Sequence, residues 1–526
     1  MAVRTNLGLR RNAAQLHALA GVERELRATD STGSTKYLKD FTKSFGSYRG
    51  VLDREQLAAA VRRADIVLIG DYHALPAAQK SAASLIEERA QPGDRPVVLG
   101  LETIFSHHQH VLDEWWRREI DENELRERVR FDNDWGYDWS PFYELLVTVR
   151  EYGDAIYGLD CMPREDMRKI ATRDRHAADK LAEIRQHHPN AAIFVLFGES
   201  HLAPGHLPRW LRERLPGNRV LTLLQNVDAL YWQATREQQD RVEAVRVNDD
   251  VVCVFNSTPL EKYESYRLYL SRYQGESGHS DALPTIYNLV ESLSCFLGIN
   301  RYSSQNTTQP RFLVDMLPEV YCGSSDTRLR QLLARAHYDP RKIEGMLARV
   351  ETRGSVYLPS VNAIYLREFQ MSYTAEEVAR FLHHACRGLP LRRRAWFPST
   401  GDIRDRFYAR TVEHALAYFG SRVLYPARPA VCAEGTEILS QRLCHKWAEH
   451  AVTGDRKKFD DTAQKLGYLL GSELYAAYLR GSVSCTILRH LFLSRLEGPG
   501  EARRTLSEML RRTRGGGKKP CASVRR

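Results

Sequence analysis

The chain has 526 residues, too many for one typical core, so two domains are expected. Its 43% apolar and 27% charged residues are ordinary for a soluble globular protein, and its nine cysteines, none in a Cys-x-x-Cys pair, argue against a zinc ribbon or a disulfide framework and fit reduced thiols. The net charge of +10 comes from 76 basic residues mixed with 66 acidic ones, a pattern of solvated surface that argues against nucleic acid as a partner.

Residues 1–45 read as an N-terminal extension. They carry arginines but no sustained apolar stretch, a poor secretory leader with no lipid-attachment cysteine after it. No run approaches the roughly 20 apolar residues of a membrane span. A cytoplasmic location is therefore expected.

Six strands are predicted next, at 64–70, 96–102, 155–160, 191–197, 219–225 and 250–256. Their β-branched and aromatic runs are continuous, as in strands buried on both faces. Helical spacing falls between several of them. Residues 77–90 place Ala78, Ala82, Leu85 and Ile86 on one face, behind Pro76. Ser140-Pro141 opens another helix that Gly153 can end. A third, over 165–187, aligns Met167, Ile170, Ala177, Ala178, Leu181 and Ile184. Alternating strands and helices predict an α/β domain over 46–300, a mostly parallel sheet flanked by helices.

The stretches 275–284 and 302–310 read as loops or linkers. Beyond them the pattern turns helical, at 326–336, 340–350, 374–388, 404–419, 436–452, 457–479 and 482–495, with no convincing strand ladder. A helical C-terminal domain over 301–512 follows, a possible docking surface for a protein partner, and then a disordered basic tail over 513–526.

The chemistry concentrates at the strand ends. Gly70-Asp71-Tyr72-His73 follows the first strand, and Gly198-Glu199-Ser200-His201 follows the fourth. Each glycine permits a sharp turn, and parallel strands deliver their carboxyl ends to one sheet edge. His73 and His201 should therefore share a pocket. Glu102 ends the second strand and should point there from an intervening strand; Asp71, Glu199 and Asp160 add carboxylates. Imidazoles with carboxylates are a metal-ligand set, so His73, Glu102, Glu199 and His201 are the candidate metal ligands, and His73, Glu102 and His201 the candidate catalytic residues.

The acidic, aromatic stretch 132–139 reads as a loop able to wall the pocket, with Tyr137 or Tyr143 supplying a phenol. Arg173-Asp174 could hold an anionic group, although an exposed helix face is simpler. His107, His108 and His110 read as a solvated helix start. Ser200 lacks the second glycine of a nucleophile elbow, since position 202 is Leu. Glu376, Glu377, His383 and His384 do not match the H-E-x-x-H spacing, and no Walker loop or G-x-G-x-x-G follows a strand.

Together, the two Gly-x-x-His motifs, the intervening Glu102, Val67-Leu68-Ile69 before the first motif and Trp139-Ser140-Pro141-Phe142-Tyr143 between them resemble ChaN-like haem-binding proteins of the Tiki superfamily, relatives of the TraB/Tiki and erythromycin-esterase-like proteins. The resemblance spans residues 46–260. Asp71 stands where that family usually has Glu, and the long helical half has no counterpart in the minimal family domain. The resemblance implies haem or iron held at the sheet edge, with Tyr72, His73, Tyr137, Tyr143 and His201 as cofactor-binding candidates. A metal-dependent hydrolase of an ester or amide, built on the paired motifs, is the alternative. A scaffold with a vestigial site is the third reading.

Overall fold

The computed structural model describes residues 2–29, 36–90, 95–162, 164, 169–238, 241–274, 281–299, 317–323, 326–387, 403–431, 444–449 and 456–513. Met167, the stretch 302–310, most of 275–284, much of 436–452 and the tail from 514 lie outside the described residues. The chain divides into two compact units, residues 23–269 and residues 1–22 with 270–526.

In the first unit all six predicted strands form. With two short ones they make β1 (Gly50–Leu52), β2 (Ile66–Asp71), β3 (Val97–Phe105), β4 (Ala155–Asp160), β5 (Ala192–Gly198), β6 (Val220–Gln225), β7 (Ala244–Arg246) and β8 (Val251–Val254). Among the described residues these eight join one sheet in the order β1-β7-β8-β6-β2-β5-β3-β4. The six long strands run parallel. The additions, β1 and β7, pair antiparallel at one edge.

Strand alternation sorts the core onto two faces. Val67, Ile69, Leu99, Leu101, Phe194 and Leu196 pack on one side with Trp115, Phe131 and Phe142. Ile66, Leu68, Val98, Ile193, Val195 and Phe197 pack on the other with Phe41, Leu181 and Leu230. This explains the continuous apolar runs: both faces are covered by helices, so neither parity of position is free to be polar.

The unit boundaries differ from those expected at 45/46 and 300/301. Phe41 and Phe45 belong to the sheet's core, so residues 23–45 are part of the first unit and not an extension. Helix Leu283–Leu297 buries Leu289, Val290 and Leu293 in the second unit.

That second unit is helical, as predicted, but not wholly. Glu319–Cys322, Ser355–Leu358 and Ala363–Leu366 form a three-stranded sheet. At four residues each, these strands are too short to show a periodicity that stands out from flanking helices. Helices Met371–Arg387, Ile403–Leu424 and Arg456–Leu479 make up much of the rest. The last two pack closely: a Cβ on Gly471 would stand 2.5 Å from the Ala415 carbonyl oxygen. Among the described residues, no helix is long and apolar enough to cross a membrane.

Candidate functional site

β2 and β5 are direct neighbours, with Gly70 opposite Phe197 and Asp71 opposite Gly198. Their carboxyl ends therefore bring His73 and His201 to one cavity of about 990 Å³, within the first unit. Glu102 lines it too, but from the far side of β5; its strand intervenes in sequence and not in the sheet. A bulge places it. Leu101 pairs with Gly158 and Phe105 with Asp160, so Glu102, Thr103 and Ile104 stand against Leu159 alone. Bulges of this kind re-aim side chains at sheet ends.

Each histidine is fixed through Nδ1. His73 meets Asp71 Oδ2 at 2.8 Å, and Gln79 Nε2 donates to the other oxygen of Asp71. Gln225, at the end of β6, donates to the carbonyls of Gly70 and Ala78 and so pins the turn that carries His73. His201 meets Asp174 Oδ1 at 2.5 Å, and the Tyr37 hydroxyl donates to Asp174 Oδ2 at 2.8 Å. Both rings thus turn Nε2 away from their aspartates. His201 Nε2 lies 3.7 Å from Glu102 Oε1.

Glu102 is the hub. Arg173 Nη2 donates to its Oε1 and the Gly198 backbone N–H to its Oε2, both at 2.5 Å. Burial works against its charge, but His201, Arg173 and His73 together hold its carboxyl well below the usual range. Arg173 also forks onto Asp160, and Arg164 joins Asp160 while donating to the carbonyls of Asp134, Glu102 and Thr103. Arg173 and Asp174 are therefore buried, not an exposed helix face, and the anions Arg173 holds are the protein's own. For His73, burial lowers the affinity for a proton, yet Asp71 and then Glu102 outweigh it, and the pKa is raised above 6.5.

The wall opposite is aromatic. Trp135 and Tyr137 come from the acidic stretch, which is helical at Phe131–Asp134 and turns before helix Trp139–Tyr152. The His73 ring lies 4.4 Å from Trp135 and 5.2 Å from Tyr137, and Tyr137 stacks on Tyr269 at 4.1 Å. Tyr263, Tyr266 and Tyr269, with Lys262, come from helix Pro259–Gln274, which sequence reasoning missed. Its tyrosines recur every third residue, a stripe visible in the sequence. Lys262 Nζ sits 4.6 Å from the Tyr72 ring centroid and bonds both oxygens of Glu199, at 2.8 and 3.1 Å.

Tyr143 is not in this cavity. The helix has already begun by Trp139, so Tyr143 faces neighbouring helices and packs on Trp139 and Trp115. His107 and His110 are exposed, and Ser200 lines the cavity.

The expected metal quartet does not assemble. Glu199 is engaged by Lys262 and Glu102 by Arg173, and among the described residues no group of three or more His, Cys, Asp or Glu side chains is arranged to hold a metal ion. Arg173 and Lys262 already balance the charges of Glu102 and Glu199.

Residues 57–196 match the family model described as haem-binding uptake, Tiki superfamily, ChaN. A solved structure titled "Cofacial heme binding to ChaN of Campylobacter jejuni" is similar, at 16% identity over 39% of this chain and 97% of that one, with a TM-score of 0.29. No curated protein matches the chain.

Proposed function

We propose that this cavity binds a flat, conjugated, anionic cofactor of the haem type, with His73 as its principal contact. The observation that carries the reading is the setting of His73. Asp71 fixes Nδ1 at 2.8 Å, and the ring lies beside Trp135 and Tyr137 on the cavity wall. A carboxylate on one ring nitrogen orients an imidazole and raises the basicity of the other, the usual support for a metal-ligating histidine. The match of residues 57–196 to a haem-binding family supports the same reading.

The residues fit such a group. Stacked tyrosines offer flat apolar faces, and Arg27, largely exposed at the cavity and paired with Glu23 at 3.5 Å, offers a cation for acidic side arms. Burial holds the phenols of Tyr72 and Tyr137 protonated, so they serve as hydrogen-bond donors, leaving His73 as the better ligand. Bound haem would supply a redox-active iron. The chain's own work is to bind, orient and exclude water. Because a proton competes for His73, affinity should rise as pH passes its titration.

Haem titration by absorbance, alongside metal analysis of the purified protein, tests this. A saturable shift in the Soret band, weakened at least about tenfold in His73→Ala, is expected for loss of an oriented ligand. Tightly bound metal with no haem response overturns the proposal.

One arrangement favours a second reading, hydrolysis of an ester or amide. Two Asp–His pairs flank a single buried carboxylate, Glu102, and either imidazole could take a proton from an attacking water. Turnover of a p-nitrophenyl ester that is lost in both His73→Ala and His201→Ala would favour it. If both variants bind haem and react as the parent does, the site is vestigial.

A further inference from the structure

The second unit contains its own cavity, of about 980 Å³, on which the sheet-edge site has no bearing. Its walls come from helix Pro340–Arg353, strand Ser355–Leu358 and helices Met371–Arg387, Ile403–Leu424 and Arg456–Leu479. Its lining is densely charged, with arginines set beside the carboxylates Asp339, Glu377, Glu413, Asp460 and Asp461. The arginines are Arg349, Arg353, Arg380 and Arg410.

The buried carboxylates of the lining, Glu377 and Glu413, are committed. Glu377 accepts from Arg380 Nε at 3.2 Å and from the Tyr357 backbone N–H at 3.0 Å. Glu413 accepts from Arg387 at 3.1 Å and Arg410 at 2.9 Å. Behind them Glu376 takes Arg380, Arg428 and the Tyr468 hydroxyl. Asp460 lies 3.8 Å from Arg410 and is partly exposed; Asp339 and Asp461 are exposed.

Arg349 is left over. Among the described residues its guanidinium has neither a hydrogen bond nor an ion pair, although it is half-buried near Arg353, Arg380 and Arg410, with Glu377, already bonded to Arg380, the nearby carboxylate. An unpaired guanidinium among like charges is costly unless something anionic joins it. His414 supplies a second signal. It lines the same cavity, is 3% exposed, and its Nδ1 has no hydrogen-bond partner among the described residues. Burial, with Arg380 and Arg410 near, keeps the ring neutral, able both to donate and to accept. Buried polar atoms are normally satisfied, so an orphan imidazole nitrogen on a residue that lines a polar cavity marks a missing partner.

We propose that this cavity is a second binding site, taking a small organic anion whose phosphate or carboxylate group is forked by Arg349 and whose other polar atoms reach His414. Guanidinium matches either oxyanion through paired N–H donors. The room available exceeds what a bare inorganic anion fills, and Tyr338 and Tyr357 offer apolar surface for the remainder of the molecule.

The test is calorimetric titration of the full-length protein with two probes, pyrophosphate and citrate, at low ionic strength. At least one should bind. Arg349→Ala should weaken that binding by about tenfold or more, as expected for a charge-assisted fork. Arg349→Lys should recover part of it. His414→Gln, which keeps a donor and an acceptor, should bind more tightly than His414→Leu. Without ligand, Arg349→Ala should melt no lower than the parent, because it removes a charge with no partner, so lost binding is not lost folding. Absence of heat from both probes at millimolar concentration overturns the proposal, as does binding that Arg349→Ala leaves unchanged.

Discussion

The backbone N–H of Gly198 donates to Glu102 Oε2 at 2.5 Å, tying the end of one strand to a side chain of its neighbour. A side chain there would be tightly placed. A Cβ on Gly198 would stand 3.0 Å from Glu102 Oε2 and 3.3 Å from His73 Cε1 and Nε2. Gly198→Ala should therefore displace both groups and cost about 1–3 kcal/mol, as overpacking does. The matching change at the first motif, Gly70→Ala, meets its nearest atom at 3.4 Å and should be much milder. Urea denaturation of the two variants checks the contrast; equal losses would contradict it.

Arg173 answers two buried carboxylates, Glu102 and Asp160. Replacing it by Met strands both, and breaking a buried ion pair from one side costs about 3–5 kcal/mol. The double variant Arg173→Met with Glu102→Gln should recover part of that loss. A double-mutant cycle on unfolding free energies reads the coupling, and strict additivity would show that the pair does not interact.

The protonation of His73 should be visible by NMR as a midpoint above 6.5, because Asp71 and Glu102 outweigh its burial. Asp71→Asn should lower that midpoint by about one unit or more. The sign for stability follows. A raised folded pKa contributes stability that is fully present below pH 6.5 and is lost as pH rises through the folded value. Stability of the parent should thus decline over that window, and the decline should be smaller in Asp71→Asn.

Two tyrosines separate wall from core. Tyr137→Ala should weaken haem binding by about tenfold, since it removes a stacking face worth ~1 kcal/mol or more. Tyr143→Ala should cost about 1–3 kcal/mol of stability through lost packing, and leave haem affinity as it was. Parallel thermal melts and haem titrations decide; an affinity loss in Tyr143→Ala would place it nearer the cavity than its contacts with Trp115 and Trp139 allow.

The long strands were legible because burial on both faces leaves an unbroken apolar run. β1 and β7 escaped notice because three residues carry no periodicity. The motif residues were legible because a polar residue at the end of a buried strand has only the sheet edge to occupy. Their partners were not. Arg173 reaches Glu102 across 71 positions and Tyr37 reaches Asp174 across 137, and nothing in a helical spacing pattern distinguishes an arginine that turns inward from one that faces water. The strand order, which sets Glu102 beyond β5 and not between the motifs, is likewise a property of the crossovers and not of any one segment.

The stretch that matches the family ends at residue 196, before Glu199 and His201, and begins after Tyr37. Lys262, which neutralises Glu199, lies farther still. A module excised at the borders of the recognisable similarity would keep the sheet's central strands β2, β3 and β5 nearly whole. It would nonetheless lack one of the two histidines, the hydroxyl that steadies that histidine's aspartate and much of the tyrosine wall. The cavity draws on more chain than the matched stretch, and transplanting it to another protein would mean moving residues 23 to 269 together.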